Sequence, residues 1–153
     1  MNYRQLLATA FLLCSVVLFS NYAQAKDAAI VVGKISVANG LHSADLAKAI
    51  KGAGHKMADG KTLVIVVKPA KTTETRIFGE KCLGENASQL SDLISSQHTV
   101  FRIVDTDEEV IKAVNSIPGS LGVVDIYSIN SSVTVLKIDD KSPLEPGYLL
   151  HGN

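Results

Sequence analysis

The chain has 153 residues, 15 basic and 15 acidic, for a formal net charge of zero. No basic stripe marks it as a nucleic-acid binder, no segment is of low complexity, and no period repeats along it. Its length suits one domain with a sizeable core once the amino-terminal segment is set apart.

That segment reads as an export signal. Arg4 lies in a short polar start, Leu6 to Ser20 form an apolar run, and Ala23-Gln24-Ala25 fits a small-x-small cleavage site. The apolar run is shorter than the roughly 20 residues that a membrane span needs, so removal near Ala25 is expected, not a stable membrane anchor. The division is therefore residues 1–25 as signal peptide and 26–153 as a single α/β domain in a periplasm or outside the cell. The processed domain keeps one cysteine, Cys82, and so has no internal disulfide.

Ala28 to Ser36 is a continuous β-branched run, a strand signal. Asn39-Gly40 reads as a turn, Ser43 as the cap of a helix stopped by Gly52, and Asp59-Gly60 as another turn. Thr62 to Pro69 predicts a second buried strand. A helix is expected over residues 74–83 with Gly84 as its stop, and another after a cap at Asn86 or Ser88. Thr99 to Val104 predicts a strand. Thr106 and Glu109 have the spacing of a full capping box, and Asp107, Glu108 and Glu109 complement the positive helix start. Pro118-Gly119 ends that helix. Strands follow over 120–126 and 132–138, and the turn-rich tail from Asp139 is expected to lie over the surface. Strands and helices alternate and the strands are apolar throughout. That pattern argues a three-layer α/β sandwich, a mixed and mostly parallel sheet with helices on both faces.

Chemistry concentrates in "KTTETRIFGEKCLG", residues 71–84. A helix start has unpaired N–H groups and a positive dipole end. Threonine hydroxyls donate, and an arginine fork matches phosphate or carboxylate. Thr73, Thr75 and Arg76 are thus suited to hold a tetrahedral oxyanion. The plain alternative is a capped helix, with a threonine cap and Arg76 paired to Glu80 one turn on.

Other candidates are thinner. His42, His55, His98 and His151 have no ligand spacing, so no metal is expected. Cys82 reads as part of an apolar helix face with Ile77, Phe78 and Leu83, not as a nucleophile. The serines lack a nucleophile-elbow setting, and the acidic run 105–109 reads as capping rather than a calcium loop. No enzyme chemistry and no cofactor are indicated.

Four segments in order resemble the substrate-binding proteins of phosphate ABC transporters: "NGLHSADLAKAIKG", "TTETRIFGEKCLG", "TDEEVIKAVNSIPGSLGVVD" and "VTVLKIDDKSP". The family's Ser-Gly-Thr-Arg segment falls on Thr73-Glu74-Thr75-Arg76, and its Pro-Gly helix exit on Pro118 to Val124. The resemblance implies one lobe of a periplasmic-binding-protein-like fold, the second of two. It implies phosphate or a related oxyanion as ligand, with Thr73, Thr75 and Arg76 as contacts. Glu74 stands where the family has glycine. The resemblance leaves two functions open. One is a small exported solute-binding-like protein of transport. The other is an accessory module of an envelope complex, its ligand site vestigial, with an envelope protein or a second copy as partner.

Overall fold

A computed structural model describes residues 26–34, 40–52, 54–56 and 60–152. The expected signal peptide, the end of the first strand run, the first residue of the Asn39-Gly40 turn and Asp59 lie outside the described residues.

Five strands form one sheet: β1 (Ala28–Gly33), β2 (Ile65–Val67), β3 (Phe101–Ile103), β4 (Leu121–Asp125) and β5 (Val133–Val135), ordered β3-β2-β4-β1-β5. β2 pairs parallel with β3 and β4, whereas β1 pairs antiparallel with β4 and β5. One strand therefore runs against the other four, the mixed, mostly parallel sheet that the sequence predicts. Helices α1 (Ser43–Lys51), α2 (Thr73–Phe78), α3 (Ala87–Ser96) and α4 (Asp107–Ser116) cover it. α2 runs on through a π-helical turn, Gly79–Leu83, and ends at Gly84, whose φ of 68° is the left-handed region glycine adopts without strain.

The apolar strands are explained by two cores, one on each face. Ile30, Val32, Ile65, Val67, Leu121 and Val123 face α1, α2 and α3. The alternate residues Val31, Val66 and Val124 face Val110 and Val114 of α4. A strand buried on both faces has no polar alternation to show. Gly122 is small because α4 comes close: an added Cβ would lie 2.6 Å from Val110 and 2.8 Å from Val114.

Three local expectations need correction. Ser43 is the first residue of α1 and not its cap. The residue before it, His42, makes no side-chain capping bond. Asp139, 96 positions away, accepts the Ser43 N–H at 3.0 Å and its hydroxyl at 2.7 Å. The cap of α1 is thus tertiary. Second, the box at α4 is displaced by one residue. Thr106 accepts the Glu109 N–H, but the Glu109 carboxylate reaches the N–H of Asp105, 2.8 Å away. The reciprocal box forms instead at α3, between Asn86 and Gln89. Third, the tail does not simply lie over the surface. Tyr148 and Leu150 are buried in the larger core, and Ala28 donates its N–H to the Leu150 carbonyl at 3.0 Å. His151 and Gly152 then meet the Asp27 carboxylate at 3.0 and 2.9 Å.

Candidate functional site

The sheet brings one set of chain ends together. β2, β3 and β4 are parallel, so their carboxyl ends share one edge, where α2 and α4 begin. β1 is antiparallel and starts there: Ala28 pairs with Asp125, the last residue of β4. Lys26, Lys68, Glu74, Asp107 and Asp125 converge at this edge from five separate stretches of sequence. In open α/β sheets the carboxyl ends of the strands are where ligands sit.

Lys68 is the hub. It follows β2 directly, and its side chain is 12% exposed. Its ammonium lies 2.6 Å from Asp107 Oδ1 and 3.1 Å from Glu74 Oε2. Burial works against the charge, but the hydrogen bonds and charges of Asp107 and Glu74 outweigh it and hold the ammonium above its ordinary value. The second oxygen of Asp107 accepts the Ser128 hydroxyl at 2.6 Å. Lys26, more than half exposed, sits at the rim, 3.7 Å from Glu74 and 3.8 Å from Asp125.

The threonines and the arginine of the sequence motif fall differently. Thr72 is the N-cap residue, with extended backbone. Its hydroxyl lies 2.9 Å from the Pro69 carbonyl and 3.1 Å from Thr75 Oγ1 instead of capping the helix. Thr75 is buried and donates its hydroxyl to the Lys68 carbonyl at 3.0 Å. This bond ties the end of β2 to the first turn of α2 and fixes the backbone from which the Lys68 side chain springs. Thr73 is half-buried at the first helical position. Arg76 is exposed and pairs with Glu80 at 3.2 Å, the i, i+4 contact of an ordinary helix surface. Glu74, by contrast, is 3% exposed and turned in upon Lys68.

Sequence reasoning missed Lys68, Lys26 and Asp125. Lys68 reads as the polar end of a strand and Asp107 as a helix-start charge. Only the parallel pairing of β2 with β3 and β4 brings the starts of α2 and α4, which lie on opposite faces of the sheet, to the same edge. A lysine at a strand end, followed by an acidic residue in the next helix turn, is the signal that was there to find.

Elsewhere, Cys82 is a free, buried cysteine whose thiol burial pushes up to about 12, with the Asp139 charge adding to the shift. A thiol so placed is a small hydrophobe and not a nucleophile. Among the described residues no group of three or more His, Cys, Asp or Glu is placed to hold a metal ion, and no helix is long and apolar enough to cross a membrane.

The chain folds as a single lobe of the kind found in the substrate-binding proteins of phosphate ABC transporters. The particular solved structures it is similar to include an ABC-type phosphate transport receptor from Vibrio cholerae, at 20% identity and a TM-score of 0.64, over 77% of this chain and 48% of that one. A putative phosphate ABC transporter substrate-binding protein with bound phosphate from Clostridium perfringens is similar at 16% identity and a TM-score of 0.62, over 77% and 47%. PstS from Borrelia burgdorferi is similar at 13% identity and 0.63, over 84% and 55%. The chain thus spans about half the length of these proteins. At such identities the likeness is one of fold. By their descriptions the first two of these neighbours are a phosphate transport receptor and a phosphate transporter substrate-binding protein. No protein-family model and no curated protein matches the sequence.

Proposed function

We propose that this chain is an exported solute-binding-type lobe, working in a periplasm or outside the cell after signal removal near Ala25. Its ligand is phosphate or a related small oxyanion, taken at the start of α2. One observation carries the reading: the site already binds an oxyanion, the chain's own Glu74 carboxylate, held by Lys68 at 3.1 Å and 3% exposed. A carboxylate presents to an ammonium the same short, charge-assisted contact that a phosphate edge presents.

The contacts proposed are Thr73, Thr75 and Arg76, joined by Lys68 and Lys26. Thr73 would offer its hydroxyl and Thr75 its first-turn N–H, since the Thr75 hydroxyl is engaged with Lys68. Arg76 would turn from Glu80. The cost is small, because both partners of that pair are more than two-fifths exposed, and exposed pairs contribute about 0–1 kcal/mol.

The test is calorimetric titration of phosphate at low salt into the wild type, Arg76→Ala and Glu74→Gly. Weak, saturable binding that drops about tenfold in Arg76→Ala, or about 1.4 kcal/mol, supports the reading. No saturable heat in the wild type or in Glu74→Gly overturns it. The accessory-module reading, its ligand site vestigial, would then be the one to pursue.

A further inference from the structure

We infer that Glu74 is a built-in competitor of the ligand, an autoinhibitory carboxylate that occupies the cations an external oxyanion needs. The inference rests on the oxyanion-binding reading above and adds to it how the site is regulated.

The chain could have filled this space at less cost. Placing a carboxylate where only 3% of it meets water carries a desolvation penalty that an alanine or leucine would not. What Glu74 obtains in return is Lys68 and, more loosely, Lys26. An ammonium has three N–H donors. On Lys68 the ammonium already lies within ion-pair distance of two carboxylates, Glu74 and Asp107, and Asp107 is itself held in place by Ser128. A phosphate approaching Lys68 therefore meets three carboxylates, Glu74, Asp107 and Asp125, against two ammonium groups. It gains a full contact only when Glu74 withdraws.

The geometry also says which carboxylate yields. Asp107 is anchored at 2.6 Å to Lys68 and at 2.6 Å to Ser128. Asp125 accepts the Tyr127 N–H at 2.9 Å. Glu74 makes the longer 3.1 Å contact to Lys68, and its other oxygen lies 3.7 Å from the rim lysine, Lys26. Of the three it has the longest side chain, and its two oxygens face the ammonium groups of Lys68 and Lys26. Removing its charge leaves two lysines facing two carboxylates, a locally neutral site that no longer repels an anion.

The decisive experiment compares phosphate affinity, by calorimetry at low salt, among the wild type, Glu74→Gln, Glu74→Gly and Glu74→Gly combined with Arg76→Ala. Thermal melting of each confirms a folded protein. Glu74→Gly is expected to bind at least tenfold more tightly than the wild type, Glu74→Gln to fall between them, and the added Arg76→Ala to remove the gain. Equal affinity in the wild type and both Glu74 variants would overturn the autoinhibitory role and leave the oxyanion reading intact. Absence of binding in every protein would overturn both. Should Glu74→Gly melt too low to titrate, Glu74→Gln decides alone, since it keeps the side chain's shape and removes only its charge.

Discussion

The Lys68 ammonium lies 2.6 Å from Asp107 Oδ1, joining the end of β2 to the first turn of α4, 39 positions further along the sequence. With Glu74 at 3.1 Å the same ammonium also holds the first turn of α2. One side chain thus locks the two helix starts that border the candidate site.

Replacing that ammonium should be costly. Lys68→Met leaves Glu74 and Asp107 buried without their cation, and breaking a buried pair from one side costs about 3–5 kcal/mol. Urea denaturation of Lys68→Met beside Lys81→Met, a change at an exposed lysine, measures it. A loss under about 1 kcal/mol, the scale of an exposed pair, would mean the cluster is solvated and not a lock.

The tertiary cap of α1 makes a smaller and more specific claim. Asp139→Ala should cost about 1 kcal/mol, the worth of a lost N-cap. Asp139→Asn should retain most of it. Asparagine keeps an acceptor for the Ser43 N–H and tolerates the left-handed backbone at this residue, where φ is 49°. Two equally destabilised variants would show that the carboxylate charge, and not the acceptor, matters.

The tail offers a third prediction. Leu150 is fully buried, with its backbone bonded to Ala28. Leu150→Ala should destabilise the protein by about 2–5 kcal/mol, as truncation of a core leucine does. Leu144, on the same tail but 87% exposed, is the control, and Leu144→Ala should change little. Similar melting temperatures for the two variants would contradict the docking of the tail.

Alkaline pH provides a fourth. The Cys82 thiol titrates at about 12 in the folded chain against 9.0 ordinarily. Its folded value is raised, so its contribution is fully present below 9.0 and lost as the pH rises from there through about 12. Each unit lost is worth up to about 1.4 kcal/mol. Tyr148 and Lys68, both also raised, add to the loss only above 10.0 and 10.5. Stability by urea midpoint should therefore fall between pH 9.0 and 10.0 in the wild type, and Cys82→Ala should flatten that interval. A flat wild-type profile there would mean the thiol is open to water.

Much of the fold was legible because it is local. The β-branched runs, the left-handed stop at Gly84 and the Asn86 cap each act within a few residues, and all five strands and four helices appear where the sequence predicts them, with shorter strands. The strands shorten because only the paired stretch counts, and pairing is not a local property. The tail was misread for a related reason. Pro143, Pro146 and Gly147 do specify turns, but Tyr148 and Leu150 among them are apolar residues that turn propensity cannot place.

The candidate site divides in the same way. By itself the sequence determined that residues 73–76 open a helix after a buried strand, and that threonine and arginine stand where an oxyanion could be held, because spacing and side-chain chemistry are written in consecutive residues. Only the tertiary structure decided that Glu74 turns inward, that Arg76 turns outward to Glu80, and that Lys26, Lys68, Asp107 and Asp125 meet there. The physical reason is topological. A reversed β1 beside parallel β2, β3 and β4 gathers one strand start, three strand ends and two helix starts at a single edge, and the charges that meet in that low-water corner must pair with one another whatever their distance along the chain.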